Sequence, residues 1–409
     1  MTPLANLKIV HTADLHLGAG LRDVTTSAEM LELERQKDYL RQLEAIERHV
    51  TESEPDFVVI AGDIFHTSRP SGYLLDEFAK FVQSLTSLGT KVICVPGNHD
   101  QPKAAQTEPY MKALADAGAP GLYVFRGPDV CVLEGARSHR TVRFIALPYL
   151  SPQTLEEAEF NRNVRSKLEE LKAKKTPAAD YTVIVAHLYV EGARLGSEQR
   201  LTTLSDYPLP RSVLLDSDVD FVCLGHIHSR QFLDKKMAYS GSVERVDFGE
   251  EDEEKGFIQI EEHEGRLDGR FVNLHCRPLV TLPKTGGTFN LLTEADPGAV
   301  LLDAVRNERL PQEAILRVRV KLGPRQLLPR NVLNDLAKEK NLFHWFLQIE
   351  RIAPQRTQRP LGKELPMKEF FGNYLQSSFS TSTNREVLSL VRQEGLKIID
   401  EVESERTGQ

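Results

Sequence analysis

Short apolar runs alternate with helical patterns over the first half of the chain. Three runs, which begin at Leu7, Phe57 and Lys91, are rich in Val and Ile and predict buried strands. Between them, apolar residues at helical spacing predict helices over about 28–50 and 74–88. Strands that alternate with helices are typical of βαβ units, so we predict an α/β domain built on a largely parallel sheet.

The same alternation continues beyond these elements. Three further strands are predicted over 141–147, 182–186 and 219–224. A long charged helix is predicted over about 153–174, and its basic end, KAKK, suits the negative pole of a helix dipole. The α/β pattern therefore extends over most of the first two thirds of the chain.

The character of the sequence changes after about Cys276. The segment PLVTLPKTGGT is typical of a linker, and a smaller α/β pattern follows it. A second linker, APQRTQRPLGKELP, precedes a tail from Met367 whose pattern is again helical. We therefore predict a main domain over 1–275, a smaller domain over 276–355, and a linker with a helical tail over 356–409.

Composition places the chain among ordinary soluble globular proteins. Of its 409 residues, 40% are hydrophobic and 27% are charged, and no apolar run is long enough to span a membrane. The N-terminus lacks the basic segment and apolar core of a signal peptide, so we expect a cytoplasmic protein that does not bind membranes. The net charge of −8 leaves nucleic-acid binding open, because such binding depends on local basic clusters. Buried reduced thiols are expected at the four scattered cysteines, Cys94, Cys131, Cys223 and Cys276.

Polar side chains that can bind metals follow five apolar runs that are distant in sequence. In an open α/β sheet, ligands bind at the carboxyl ends of the strands. The candidate residues are Asp14 and His16 in LKIVHTADLH, Asp63 and His66 in FVVIAGDIFH, Asn98, His99 and Asp100 in KVICVPGNHD, His187 in TVIVAHL, and His226 and His228 in VDFVCLGHIH.

Mixed imidazole and oxygen ligands without thiolate suit Mn²⁺, Fe²⁺ or Zn²⁺. A carboxylate can bridge two cations, and a pair about 3.5–4 Å apart can hold both oxygens of a phosphoryl displacement. Each motif alone has an ordinary structural explanation, such as a core histidine at His187 or a turn at GDIF. All five together, each at the end of a predicted strand, favour a site for two metal ions. The glycines before Asp63, Asn98 and His226 are expected to permit sharp turns there.

These motifs resemble those of the calcineurin-like metallophosphoesterase superfamily. Within it they are similar to the SbcD nucleases and their counterparts, the meiotic recombination 11 nucleases. His66 stands three residues after Asp63, where phosphoprotein phosphatases would carry an Asp-Arg pair. The segment YSGSVERVDFGEEDEEKGF, at 239–257, is similar to the one that follows the last metal histidines of SbcD-type proteins. The resemblance covers about 7–275 well and the remainder weakly; ADLHLG departs from the bacterial SDWHLG, which leaves the subfamily open.

The resemblance implies a metallophosphoesterase β-sandwich flanked by helices, with a smaller α/β capping domain and a C-terminal helical tail. It also implies two Mn²⁺ per chain, with Mg²⁺ or another divalent ion as an alternative. One metal would take Asp14, His16, Asp63 and His228, and the other Asp63, Asn98, His187 and His226, with Asp63 bridging.

The resemblance also implies roles beside the metals. His99 would be the catalytic histidine that meets the phosphate or the leaving oxygen, and His66 would help to place the scissile phosphate. Independently of the family, His99 adjoins a ligand, and imidazole can donate a proton near neutral pH. Asp100 either orients His99 or has a structural role in the turn. His11 lies within the first strand and is expected to be a core residue.

Two other charged segments have open interpretations. GEEDEEK, at 249–255, is expected to be a solvated acidic loop without metal, and Arg245 either contacts phosphate or anchors that loop. In the alternating run ILRVRVKL, the apolar residues would face a core, and Arg317, Arg319 and Lys321 would line the other face. That face is either solvated or a strip that contacts phosphate.

The function implied by the resemblance is a Mn-dependent DNA nuclease, with double-strand exonuclease and single-strand endonuclease activity. It would process DNA ends in double-strand-break repair with an SbcC-type ABC/SMC-like ATPase, as a nucleoid-associated heterotetramer. The nuclease domain would form a homodimer, with 74–88 and 106–117 as candidate contacts, and the tail from 367 would dock the ATPase or pack on the nuclease domain. The alternatives are a metallophosphoesterase that acts on small phosphodiesters or phosphoproteins, and a scaffold with a vestigial site.

Overall fold

The computed structural model of the chain divides into two compact units, Met1–Arg351 and Ile352–Gln409. The structure describes residues 5–21, 29–101, 109–152, 155–196, 206–329, 331–352, 366–378 and 385–407. Residues 106–108 of the candidate dimer contact and 356–365 of the predicted linker lie outside these ranges.

The first unit is built on two six-stranded sheets. In the first sheet, four parallel strands are flanked by an antiparallel pair, in the order β12-β11-β1-β2-β3-β4. Its strands are β1 (Lys8–Thr12), β2 (Phe57–Ala61), β3 (Lys91–Val95), β4 (Leu122–Val124), β11 (Gly256–His263) and β12 (Arg266–Asn273).

The second sheet also has a parallel centre. Its order is β5-β6-β7-β8-β10-β9, and the two outer strands run antiparallel to their neighbours. Its strands are β5 (Asp129–Glu134), β6 (Thr141–Leu147), β7 (Tyr181–His187), β8 (Phe221–Gly225), β9 (Gln231–Asp234) and β10 (Met237–Tyr239). The prediction of one largely parallel sheet was therefore incomplete, because apolar alternation does not show where strands separate into two sheets.

Helices cover the outer face of each sheet. Residues such as Val59 and Ile93 of the first sheet and Phe144 and Val185 of the second form one core between the sheets. Two further cores lie beneath the helices. The helices are α1 (Glu29–Ser53), α2 (Gly72–Ser87) and α3 (Tyr110–Asp116) on the first sheet, and α4 (Glu157–Ala173) and α5 (Arg211–Leu214) on the second. This helix-flanked β-sandwich confirms the predicted fold class.

A smaller lobe completes the first unit. In this second lobe, the central strand β15 is parallel to β13 and β14 on one side and to β16 on the other. Its elements are β13 (Leu279–Leu282), β14 (Phe289–Asn290), α6 (Pro297–Arg306), β15 (Ile315–Leu322), α7 (Asn334–Glu339) and β16 (His344–Arg351). As predicted, the four alternating apolar residues of β15 face the core of this lobe: Leu316, Val318, Val320 and Leu322.

On the opposite face of β15, Arg317 fits neither interpretation of the sequence, a solvated face or a strip that contacts phosphate. This residue is 5% exposed, its guanidinium lies 4.3 Å from the Phe248 ring centroid, and it donates to Oγ1 of Thr281 at 2.9 Å. It therefore joins the second lobe to the first. Arg319 and Lys321 are half-buried and contact side chains of β16. The alternation of apolar and basic residues placed the three basic side chains on one face. It could not show that a second layer covers the start of that face.

The second unit contains α8 (Met367–Ser378) and α9 (Arg385–Thr407). The two helices contact each other where Phe371 lies against Gly395. Several large apolar side chains of this unit remain exposed: Met367, Phe370, Tyr374, Leu390, Val391, Ile398 and Val402. Within the described residues, no helix is both long enough and apolar enough to cross a membrane.

Candidate active site

The nine predicted site residues lie together at one rim of the sandwich, where strands of both sheets end. Asp14 and His16 follow β1, Asp63 and His66 follow β2, Asn98 and His99 follow β3, His187 ends β7, and His226 and His228 follow β8. Contacts between segments join the whole group: Nε2 of His187 lies 3.0 Å from Oδ1 of Asn98, and Nε2 of His16 lies 3.0 Å from Nε2 of His228.

The backbone at this rim adopts an uncommon conformation. Four non-glycine residues of the site have positive φ: Asp14 at 51°, His16 at 43°, Asp63 at 51° and His226 at 98°. Such residues cost on the order of 1–3 kcal/mol each and persist where their surroundings determine them. Backbone hydrogen bonds fix these turns, from Asp14 N to Gly62 O at 3.0 Å and from His16 N to Asp63 O at 2.9 Å.

The glycines before the site residues have two different functions. Gly62 has a φ of +90° and makes the sharp turn that the sequence predicted. At Gly97 a side-chain carbon would collide with the Asp63 carboxylate, and at Gly225 it would collide with the carbonyl oxygen of Ala61. These two glycines therefore permit close approach of neighbouring segments.

One group of donor atoms is formed by Asp14, His16 and His228, whose ligand atoms lie within 4.8 Å of one another. The Nδ1 atom of His228 lies 2.7 Å from Oε1 of Glu250 and donates to this buried carboxylate. In the neutral imidazole, Nε2 of His228 then carries the lone pair, and it faces Nε2 of His16. Two ring nitrogens that converge in this way suit a shared cation.

A second group surrounds the amide oxygen of Asn98. This oxygen lies 3.0 Å from Nε2 of His187 and 3.2 Å from Nδ1 of His226. On the other side of each ring, Nδ1 of His187 lies at hydrogen-bond distance, 2.8 Å, from the Ala61 carbonyl oxygen. Nε2 of His226 lies 3.1 Å from Oδ2 of Asp206, an ion-pair distance without hydrogen-bond geometry. With both rings neutral, their lone pairs would face this oxygen, an arrangement that a cation between them would satisfy.

Asp63 lies between the two groups. Its Oδ2 is 3.5 Å from Nε2 of His187 and 3.7 Å from Nε2 of His16, and its Oδ1 accepts the backbone N–H of His99 at 2.8 Å. Burial acts to raise the pKa of Asp63, but His187 and His16 lower it below the usual range. Burial raises the pKa of Asp14. A carboxylate in this position would serve as a ligand for a cation bound at either group.

His187 compensates the buried carboxylates of the site. Burial acts to lower the pKa of His187, but Asp63 and Asp14 raise it to about 9. A proton bound at His187 thus supplies positive charge beside the two carboxylates in the metal-free protein. Divalent cations would supply the same charge, so the donor set and its electrostatics fit two metal ions.

His66 and His99 form one side of the site. Nδ1 of His99 lies 2.7 Å from the carbonyl oxygen of His66, and the two rings stack with their centroids 5.1 Å apart. Nδ1 of His66 also lies 3.4 Å from Nδ1 of His16. Both rings are half-buried and stand beside the first group of donors.

Asp100 has the structural role that the sequence left open. Its carboxylate accepts the backbone N–H groups of Gly97 at 2.9 Å, Phe65 at 3.0 Å and Ile64 at 3.1 Å. It therefore ties the turn after β3 to the turn after β2. Burial and the nearby Asp63 raise the pKa of Asp100 to about 7.

The expectation of a solvated acidic loop was wrong at Glu250. This residue is fully buried, and its Oε2 lies 2.8 Å from Nζ of Lys255. The apolar residues Val246 and Phe248, four and two positions earlier, were the available signal that this end of the loop enters the core. Arg245 donates to the carbonyl oxygen of Glu253 at 2.9 Å and so anchors the loop.

Asp206 was not identified from the sequence. It stands 19 positions after His187, and its carboxylate lies 2.7 Å from the Tyr149 hydroxyl as well as close to His226. The residues around it have neither strand nor helix periodicity, so no local signal was present. His11, predicted to be a core residue, is fully buried, and burial lowers its pKa to about 3.

A helix-flanked sandwich with imidazole and oxygen donors at its strand ends defines the class of metal-dependent phosphoester hydrolases. Residues 7–230 match the family model of the calcineurin-like phosphoesterases, and the chain belongs to that family. The family implies a hydrolase of phosphoester bonds with two divalent metal ions.

Several solved structures are similar to this chain. A dimetal phosphatase from Danio rerio is 14% identical, with 66% of this chain and 100% of that chain covered and a TM-score of 0.36. The protein TT1561 of Thermus thermophilus is 12% identical, with coverages of 66% and 99% and a TM-score of 0.38. The nuclease MPE of Pseudomonas putida is 17% identical, with coverages of 45% and 64% and a TM-score of 0.21.

Proposed function

We propose that this protein is a Mn²⁺-dependent DNA nuclease, active as a double-strand exonuclease and a single-strand endonuclease. It would process DNA ends in double-strand-break repair together with an SbcC-type ATPase. The observation that carries the proposal is the second lobe beside the site. Phe248, two residues from Glu250, packs against Phe346 with ring centroids 5.5 Å apart and lies under Arg317.

The proposed ligands follow the two groups of donor atoms. Two divalent cations would lower the pKa of water and polarise the scissile phosphate. One would be held by Asp14, His16, Asp63 and His228, and the other by Asp63, Asn98, His187 and His226.

His99 is proposed as the group that donates a proton to the leaving oxygen. Its Nδ1–H bond to the His66 carbonyl fixes the ring, which leaves Nε2 for the substrate. His66 stacks against His99 and is proposed to place the scissile phosphate.

Two features favour DNA over a small phosphodiester or a phosphoprotein. The second lobe packs beside the turn that carries Glu250, the partner of His228, and offers a surface for an extended substrate. A small ester would need no such lobe. The exposed apolar residues of α8 and α9 are proposed to dock the ATPase, in a heterotetramer around a nuclease-domain homodimer. Such an assembly would act at the nucleoid in the cytoplasm.

The test compares substrates under the same conditions. Linear duplex DNA, circular single-stranded DNA and a chromogenic phosphodiester would be assayed with Mn²⁺, with and without the ATPase, and with Asp63→Asn as the inactive control. We expect metal-dependent cleavage of both DNA substrates, stimulated on duplex ends by the ATPase. Turnover of the small ester with intact DNA would refute the nuclease assignment and favour the alternative.

A further inference from the structure

The two histidines of GHIH present different ring nitrogens to the proposed metal site. His226 turns Nδ1 toward the Asn98 oxygen, with Nε2 at 3.1 Å from the Asp206 carboxylate. His228 turns Nε2 toward His16, with Nδ1 at 2.7 Å from Glu250. Each ring therefore has one carboxylate behind it, on opposite nitrogens.

The carboxylate behind His228 is itself held on its other side. Oε2 of Glu250 lies 2.8 Å from Nζ of Lys255, 2.9 Å from the backbone nitrogen of Val246 and 3.5 Å from Oγ of Ser242. Lys255 and the Val246 N–H are donors, whereas the Ser242 hydroxyl donates to the Glu244 carbonyl oxygen at 2.9 Å. Lys255 also donates to the His228 carbonyl oxygen at 3.2 Å. The carboxylate is fully buried, with Oε2 held by these partners and Oε1 by His228.

We infer that Glu250 is a positioning residue of the metal site, which fixes His228 in the tautomer that carries its proton on Nδ1. That tautomer leaves the Nε2 lone pair available to a cation shared with His16 and Asp14. The inference rests on the proposed metal centre and not on the identity of the substrate.

The turn that carries Glu250 explains how its position is maintained. Oδ1 of Asp247 accepts the backbone N–H of Gly249 at 2.6 Å, and Phe248 is held between the lobes. Oγ1 of Thr281, in the second lobe, donates to the Glu251 carboxylate at 2.6 Å. Contacts on both sides of Glu250 thus anchor it to the second lobe.

Substitution of Glu250 by glutamine tests this role because the amide has one oxygen that accepts and one nitrogen that only donates. The ammonium of Lys255 and the N–H of Val246 can only donate, so they would select the amide oxygen for that position. The amide nitrogen would then face His228 and donate to its Nδ1. The ring proton would move to Nε2, where it would occupy the lone pair that a cation needs. The size of the side chain is unchanged, so packing is retained.

Glu253→Gln is the matched control. Oε2 of Glu253 lies 2.7 Å from the same Lys255 nitrogen, and Glu250 remains behind His228 in this variant. The control removes an equal charge from the same loop and leaves the His228 partner in place.

The experiment has two readouts, neither of which uses nucleic acid. Nitrogen-15 spectra of histidine-labelled, metal-free protein at pH 8 report the tautomers, with the His226 and His228 signals assigned by substitution. We expect Nδ1–H at His228 in the wild type. Titration with Mn²⁺, followed by paramagnetic resonance, should show one of two sites weakened by about 10–100-fold in Glu250→Gln and two unchanged sites in Glu253→Gln.

The inference has clear contrary outcomes. Nε2–H at His228 in the wild-type protein would overturn it, and this measurement does not depend on whether the variant folds. Two wild-type affinities for Mn²⁺ in folded Glu250→Gln would also overturn it. A chain that shows the expected tautomers and metal affinities but leaves DNA intact would refute only the nuclease proposal.

Discussion

Nδ1 of His99 lies 2.7 Å from the backbone carbonyl oxygen of His66, which joins the turn after β3 to the turn after β2. A carbonyl oxygen only accepts, so Nδ1 of His99 carries a proton in every form of the ring that keeps this bond. Chemistry at His99 is therefore confined to Nε2. The bond orients this nitrogen without using a ligand of the proposed metals.

His99→Ala should spare metal binding and reduce DNA cleavage by about 10²–10⁴-fold, the usual contribution of a general acid or base. Metal content by mass spectrometry and single-turnover cleavage measure the two effects. His139→Ala, at an exposed histidine paired with Glu134, is the control and should match the wild type. Wild-type cleavage by His99→Ala would remove this residue from the mechanism.

Asp63→Asn should abolish activity and lose at least one metal ion. The Asp63 carboxylate lies between the two groups of donors, and a neutral amide cannot bridge two cations equally well. Mass spectrometry of the purified variant gives the metal content per chain. Asp234→Asn, at a surface turn, should retain both ions. Full occupancy with wild-type turnover in Asp63→Asn would contradict the dinuclear site.

The basic residues of the second lobe are expected to have two different roles, contact with DNA and stabilisation of the fold. Arg319→Gln with Lys321→Gln should weaken DNA binding and reduce the salt dependence by a slope of about two, one for each lost phosphate contact. Arg317→Ala should instead destabilise the fold by about 1–3 kcal/mol, because it removes a buried partner of Thr281 and Phe248.

Fluorescence anisotropy at two salt concentrations measures the DNA affinity, and urea unfolding measures the stability. The matched control neutralises Lys37 and Lys167, which pair with carboxylates of their own helices. An equal loss of DNA affinity in the control variant would show that the weaker binding comes from net charge. Unchanged affinity in the Arg319 and Lys321 variant would favour a merely solvated face.

The metal-binding candidates could be predicted because the chemistry lies at strand ends. Each apolar run shows where a strand stops, and the next polar residues must lie at the rim of the sheet. The partners behind the ligands could not be predicted in this way. Glu250 and Asp206 reach the site from loops, and only the folded chain brings them to His228 and His226.

Which side chains of a strand face are covered by another layer could not be predicted either. Period-two alternation in β15 separated its apolar residues from its cations correctly. It contained no information about the layer that covers Arg317, because that layer includes Phe248, which is 69 positions earlier in the chain. Contacts between residues far apart in the sequence therefore could not be predicted from the hydrophobic pattern.

His11 predicts a pH dependence of stability. Burial lowers its folded-state pKa to about 3 from 6.5, so the unfolded chain binds a proton more readily than the folded chain. The stability from neutral His11 is therefore fully present above pH 6.5 and is lost as the pH falls toward 3. Between these limits the slope should be about 1.4 kcal/mol per pH unit.

Urea unfolding in EDTA at pH 7.5, 6.0 and 5.0 measures this slope without a contribution from bound metal. His11→Gln should flatten the dependence relative to the wild type, whatever its stability at pH 7.5. His139→Gln, at an exposed position, should keep the wild-type slope. Equal slopes in the wild type and His11→Gln would show that His11 takes up its proton without unfolding.

The helical unit gives the last prediction. Deletion of 353–409 should leave a folded chain with wild-type metal content and DNA cleavage, because Met1–Arg351 is a compact unit in itself. The shortened chain should no longer co-purify with an SbcC-type ATPase. In the full chain, Phe370→Gln with Leu390→Gln should weaken the same complex, since these side chains are 59% and 66% exposed and offer apolar area to a partner. Phe371, which lies against Gly395, is left intact so that the two helices stay together. Retention of the complex by both variants would refute the docking role, whereas loss of the thermal transition in the deleted chain would show that these helices stabilise the nuclease unit instead.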